Sequence, residues 1–301
     1  MSPYLIDGID GIAFGLLLFT AAAGLTLAFG VADILNLAHG TFYAVGAYIA
    51  AAFTTTAATT TTLGGFATAF AIALLIGGAA GAGLAVAHLP IAGRGHLAQV
   101  MLTLGVAGIG ADLLVTVFGA DDLPAAPPSH LAGSVHLAAF TYPTYRLVFI
   151  ATGLVLAAGL HLVIYRTKAG AIVRACVDDR AILATIGIRP AVVQVAVLAA
   201  AGGLAAVGGV LGAPIIGPGT TTAPTIMLLS LVVVVLGGAG SLRGSIRGTF
   251  VAALVVGQIQ TVGVATVPRF APFALMGALA TVLAVAAHPR LRRRLSTRRW
   301  A

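Results

Sequence analysis

Residues 11–30 read GIAFGLLLFTAAAGLTLAFG, twenty consecutive positions without a single charge. About 20 apolar residues in a helix cross the hydrocarbon core of a bilayer, and a helix meets all its backbone hydrogen bonds internally where no water can. This stretch is expected to be a membrane span. Moving outward, similar runs lie near 34–53, 63–88, 96–118, 145–165, 191–212, 224–239, 248–267 and 271–288. The run at 224–239 is short and reads as a broken or re-entrant helix. The span count is therefore set at roughly eight to ten.

The composition agrees. Of 301 residues, 59% are hydrophobic and 8% charged, with a mean hydropathy of +1.08. A water-exposed surface takes about 25% charged residues, so lipid must be the solvent of this chain. The expected fold is all-α: one transmembrane helical bundle over 1–301, with a polar cytoplasmic loop at about 167–190 and a basic cytoplasmic tail at about 289–301. The N-terminus carries Asp7 and Asp10 and no Lys or Arg, so the basic opening of a cleavable signal is missing. Cys176 is the single cysteine, which excludes an intramolecular disulfide and a thiolate metal cluster.

The net charge of +8 is explained by placement. If nine spans alternate, fourteen of the sixteen basic residues fall on one side, among them Arg94, Arg166, Lys168, Arg174, Arg180, Arg189, Arg243, Arg247 and the tail; Arg146 and Arg269 fall on the other with Asp7, Asp10, Asp121 and Asp122. Basic residues are retained in the cytoplasm, so the expectation is a multi-pass inner or plasma membrane protein with its N-terminus outside and its C-terminus inside. The basic tail is a topology anchor that meets membrane lipid, and no nucleic-acid partner is expected. On this model Thr54–Thr62 and the proline-rich stretch 119–144 are external.

Small residues inside the spans, such as the pairs Gly77/Gly81 and Gly208/Gly212, fit close helix packing where no hydrophobic effect drives association. Three segments are more specific. Asn36-Leu37-Ala38-His39-Gly40 opens the second span with polar groups that are costly in hydrocarbon and should face protein or a water-filled path. Gly170 to Ile188 is a polar, helix-compatible connection containing Arg174, Asp178, Asp179 and Arg180, with Gly187 and Pro190 as stop signals. Leu236-Gly237-Gly238-Ala239-Gly240-Ser241 is a glycine-dense turn. Asp112 is an acidic residue well inside a span, and His88, His96 and His161 sit near span ends.

Taken together, in this order, these three segments resemble the permeases of branched-chain amino-acid ABC transporters, over about residues 30 to 250. In that family the second span opens with Asn-(Phe/Leu)-Ala-His-Gly. The cytoplasmic loop runs from Gly through Arg-Ala and an acidic pair to Gly-Ile, matched by Gly170, Arg174, Ala175, Asp178, Asp179, Gly187 and Ile188. The later Leu-Gly-Gly-x-Gly-Ser is residues 236–241. The chain departs from the family at Thr41, where an acidic residue is frequent, at Ala171 in place of an arginine, and in its arginine-rich ending.

The resemblance implies ATP-driven import of branched-chain amino acids, with urea or short amides as the alternative cargo within the family. It implies ABC ATPase subunits, a second permease subunit (identical or homologous) and an extracytoplasmic substrate-binding protein as partners. A helix from about Lys168 to Ile186 would couple to the ATPase through Gly170, Arg174, Asp178, Asp179 and Gly187. Asn36, His39, Gly40 and Asp112 are the candidates for the substrate path, and Gly237, Gly238, Gly240 and Ser241 form a structural turn. No catalytic residue, metal site or cofactor is expected. The sequence holds no Gly-x-x-x-x-Gly-Lys-(Ser/Thr) segment, so ATP hydrolysis falls to another polypeptide. A secondary transporter would place ionisable residues at mid-membrane, yet the chain has no glutamate. An intramembrane enzyme would need a nucleophile or metal set that the sequence does not offer.

Overall fold

The structure is a computed structural model, described at residues 3–32, 35–55, 62–137, 140–238 and 246–266 and at the single positions 268, 269, 273, 277 and 280. Ten α-helices are seen among the described residues: α1 (Pro3–Ala32), α2 (His39–Thr55), α3 (Leu63–His88), α4 (His96–Phe118), α5 (Thr144–Arg166), α6 (Lys168–Asp178), α7 (Arg180–Thr185), α8 (Pro190–Gly212), α9 (Thr222–Gly237) and α10 (Ile246–Thr266). Six are long and apolar enough to cross a membrane, namely α1, α3, α4, α5, α8 and α10, while α9 is apolar but shorter. The chain is an all-α, multi-pass membrane protein. Most of the expected span at 271–288, most of the threonine-rich connection and the basic tail lie outside the described residues.

Helices α1 and α8 form the buried centre. α3 packs along α8, α10 along α1, and α2 lies against α8, α3 and α9. Small residues make these crossings possible. A Cβ on Gly77 would stand 2.5 Å from the carbonyl oxygen of Gly202, so α3 and α8 touch backbone to backbone. Gly208 likewise faces Thr20 of α1. The glycine pairs are thus packing devices, as the sequence suggests. A buried polar contact joins α1 to α10, Thr26 Oγ1 to Thr249 Oγ1 at 2.9 Å.

The outer faces of α3, α4, α5 and α10 stay apolar and open: Leu75, Ile109, Leu113, Val155 and Val251 are all at least 60% exposed. In water such a surface would aggregate. In lipid it is the solvated side.

Three features differ from expectation. The span expected from residue 34 begins at His39, because Asn36 Oδ1 accepts the Ala38 N–H at 3.1 Å and holds a turn before the helix. The loop 119–144 contains a hairpin, β1 (Ser134–Leu137) with β2 (Phe140–Pro143), antiparallel with Val135 opposite Tyr142. The coupling helix expected over 168–186 is broken at Asp179, whose backbone is extended (φ −155°, ψ 109°), leaving α6 and α7 as two arms of an elbow. Aspartate competes for backbone hydrogen bonds with its own side chain and is a weak helix former, and two in succession stop the helix.

Candidate functional site

Thr167 joins the elbow to α5. Its Oγ1 donates to the Val163 carbonyl at 2.6 Å, closing α5, and accepts the Gly170 N–H at 3.1 Å, capping α6. One hydroxyl thus joins the end of a span to the start of the polar helix. A Cβ at Gly170 would collide with the carbonyl oxygens of Val163 and Ile164, so α6 folds back against the end of α5 because glycine is there. Arg174 Nη1 donates to the Ile164 carbonyl, an orphan acceptor of the last turn of α5.

The other face of α6 is apolar. Cys176 is 2% exposed and packs with Val31 at the end of α1, Leu183 of α7 and Val193 and Val197 of α8. The elbow is therefore seated on α1, α5 and α8 together. Asp178, Asp179, Thr185 and Ile186 face outward, Ile186 at 65% exposure. At Gly187 φ is +82°, and the Ile188 N–H donates to the Leu183 carbonyl at 3.0 Å, which closes α7 as the sequence expects. Of the expected coupling residues, Asp178, Asp179 and Gly187 lie on the outward side, Gly170 lies in the packed joint, and Arg174 turns back toward α5.

The motif at 36–40 sits at the junction of α1, α2, α8 and α9. His39 is fully buried and its Nε2 lies 2.7 Å from the Ala21 carbonyl oxygen. A carbonyl only accepts, so Nε2 carries the proton and Nδ1 is an acceptor, without a partner among the described residues. Gly24 leaves room for the ring: a Cβ there would stand 2.8 Å from His39 Cε1. Gly40 lets α2 approach α9, since a Cβ would meet the Ala223 carbonyl. Thr41, at the departure from the family pattern, donates to the Ala107 carbonyl of α4 at 3.4 Å. Asn36, His39 and Gly40 are thus brought together as a helix junction.

Asp112 is not with them. It lies on the exposed face of α4, between the exposed Ile109 and Leu113. A carboxylate inside a span costs about 2.5–3.5 kcal/mol if it meets hydrocarbon at the centre, so this face needs protein or water beside it. Gly237 packs on Gly248 and Thr249 of α10, and the Gly238 N–H closes α9 by donating to the Val234 carbonyl at 2.9 Å. Gly240 and Ser241 lie outside the described residues.

Several polar residues were not legible from sequence. Tyr43 and Tyr48 on α2 and Ser230 on α9 are buried with hydroxyls lacking a partner among the described residues. Tyr43 stands four residues after His39, on the same helix face, and this spacing could have flagged it. His88 stands at the end of α3 as expected and is buried there, with Nδ1 2.9 Å from Gln194 Nε2 of α8.

At the end of the bundle that holds the start of α5, Asp10 of α1 accepts from both Tyr142 Oη and Arg146 Nη1, each at 2.5 Å. This ties the β-hairpin to α1. Burial, and then the adjacent Asp10 charge, push the Tyr142 hydroxyl well above its ordinary range. Among the described residues no group of His, Cys, Asp and Glu could hold a metal ion.

Residues 9–287 match the family described as branched-chain amino acid transport system / permease component. Over 259 residues, 81% of this chain and 82% of the other, the sequence is 28% identical to the high-affinity branched-chain amino acid transport system permease protein BraD of Pseudomonas aeruginosa. No solved structure matches.

Proposed function

Because the chain belongs to the branched-chain amino acid transport system permease family, we propose that it forms one membrane half of an ATP-driven importer whose cargo is leucine, isoleucine or valine. The cargo rests on the family description and on the name of the Pseudomonas relative. The placement of the basic residues supports an N-terminus outside and a C-terminus inside.

The observation that carries the mechanism is the elbow of α6 and α7. Its outward side offers Asp178, Asp179 and Ile186, a polar and apolar mixture suited to the groove of an ATPase subunit. Its inward side is packed on α1, α5 and α8. Closure of an ATPase dimer against the elbow therefore moves the two central helices of the bundle. Tight packing transmits such a displacement, because interfaces of this density switch between arrangements instead of yielding gradually.

The substrate path lies along the α4 face that bears Asp112, opposite a second permease subunit, identical or homologous. There the carboxylate meets the water and the ammonium group of the passing amino acid. Asn36, His39 and Gly40 hold the junction behind that path. The substrate-binding protein docks on the external segment 119–144, where the hairpin is anchored to Asp10.

The test is a pair of variants in the assembled transporter. Asp179→Arg and Gly187→Pro are expected to leave the chain in the membrane and ATP hydrolysis present, while transport is lost. Proline fixes φ near −65°, incompatible with the +82° seen at Gly187. Normal transport by both variants would remove the coupling role from 168–188.

A further inference from the structure

The ends of α5, α6 and α10 gather Arg174 of the proposed coupling element with three side chains that the transport mechanism does not use, Tyr165, His161 and Arg247. The Tyr165 ring has two guanidinium carbons beside it, Arg247 Cζ at 5.0 Å and Arg174 Cζ at 5.6 Å from its centroid. His161 lies against the same ring, centroids 4.6 Å apart, with its Nε2 3.4 Å from Arg247 Nη2. Neither arginine has a carboxylate within ion-pair distance among the described residues; the ion pair seen there is Asp10–Arg146, toward the opposite end of α1 and α5. Arg166 and Lys168, both exposed, add positive charge at the same end. Two like charges held on one aromatic ring repel each other, and an anion between them removes that cost.

The surroundings say which anion. Helices α5 and α10 both pack on α1, and Phe19 of α1 meets Phe250 of α10 edge to face at 5.3 Å. The two helices thus stand side by side against α1 and meet at Tyr165 and Arg247. Their open faces near the arginines are apolar: Leu162 and Val163 on α5 are 55% and 47% exposed, Val251 and Val255 on α10 are 60% and 49% exposed. An apolar groove that ends in paired guanidiniums, a tyrosine and a histidine matches acyl chain below and phosphate above.

We propose that the groove between α5 and α10 binds an anionic phospholipid, its phosphate held by Arg247 and Arg174 beside Tyr165 and His161. Arg174 also caps α5 from α6, so the bound headgroup clamps the elbow to the first turn of α10. The lipid therefore tunes how firmly the proposed coupling element is attached to the spans. The site itself is independent of the cargo.

The test uses the purified full chain in mild detergent, titrated with dioleoyl phosphatidylglycerol, dioleoyl phosphatidylcholine or glycerol 3-phosphate. Retained lipid is counted by native mass spectrometry. Phosphatidylglycerol should be retained in preference to phosphatidylcholine. Each arginine near a membrane surface contributes about fivefold in affinity for anionic lipid, so Arg247→Gln should weaken retention about fivefold and the double variant with Arg174→Gln about 25-fold. Arg247→Lys should keep most of the binding. Arg189→Gln, which removes an exposed charge at the same end but outside the cluster, should leave retention unchanged. If the Arg174 variant does not fold, the Arg247 variants and the Arg189 control decide alone. Equal loss for Arg247→Gln and Arg189→Gln would overturn the site in favour of diffuse attraction. Displacement of the lipid by millimolar glycerol 3-phosphate would overturn it in favour of a soluble phosphate ester.

Discussion

Gly170→Val attacks the joint on which the coupling mechanism depends. A Cβ at this position would run into the carbonyl oxygens of Val163 and Ile164. These are backbone atoms at the end of a span and cannot rotate away. Ordinary van der Waals contact needs about 3.5 Å, so α6 must retreat from α5 by an appreciable fraction of that distance. Overpacking of this kind costs about 1–3 kcal/mol. Alanine would regain about 1 kcal/mol of helix preference over glycine, which is why valine is the clearer probe. The retreat also strains the Thr167 cap and draws Arg174 from the Ile164 carbonyl. The spans keep their own packing, so the chain should still reach the membrane. The assay is ATP hydrolysis and amino-acid uptake by the same proteoliposomes, expressed as substrate moved per ATP. Gly170→Val should lower that ratio severalfold. Gly159→Ala on α5, where a Cβ meets nothing within 4 Å, should leave it unchanged. A wild-type ratio for Gly170→Val would refute the claim that α6 acts through its contact with α5.

Further predictions concern the bundle and its external end. Gly81→Leu should cost about 1–3 kcal/mol by prising α3 from α8 at Leu198, seen as a lower thermal midpoint in detergent. Asp112→Leu should leave that midpoint unchanged or higher yet reduce uptake, whereas a lowered midpoint with intact uptake would assign Asp112 a structural role. A double-mutant cycle of Asp10→Asn and Arg146→Gln should return about 1 kcal/mol of coupling, the pair being partly exposed. Because the Tyr142 hydroxyl is raised in the folded state, its contribution is complete below the ordinary tyrosine value of about 10 and is lost as pH rises above it. Thermal midpoints measured across that alkaline range should therefore fall more steeply in the wild type than in Tyr142→Phe.

The spans were legible because each long helix is built on one long, predominantly apolar run, and the solvent, lipid, imposes that run directly. Gly187 was legible for a different reason: a stop at a positive φ needs a residue without a Cβ, and glycine near Pro190 says so. The motif at 36–40 announced that something polar was buried. It did not say that His39 would be spent on the Ala21 carbonyl, since the partner is a backbone atom eighteen residues away with no side-chain signature. The hairpin at 134–143 was missed because strand pairing so short rests on its tie to Asp10, a tertiary contact. That His88 ends a span was legible, but its partner Gln194 was not, because it lies on another helix, 106 positions away. The break at Asp179 lay between the acidic pair and the helix pattern, and the pair won.

The central claim is ATP-driven import of branched-chain amino acids by a complex that contains this chain. Its most direct test is uptake by proteoliposomes holding the tagged chain with whatever ATPase, permease and binding protein purify with it from mild detergent. Radiolabelled leucine, isoleucine, valine and urea are each offered with and without internal ATP. The expected result is accumulation of the three amino acids that requires ATP and the binding protein, with no accumulation of urea. Accumulation without ATP that collapses when the ion gradient is dissipated would contradict the account and turn attention to Asp112 as an ion-coupling carboxylate.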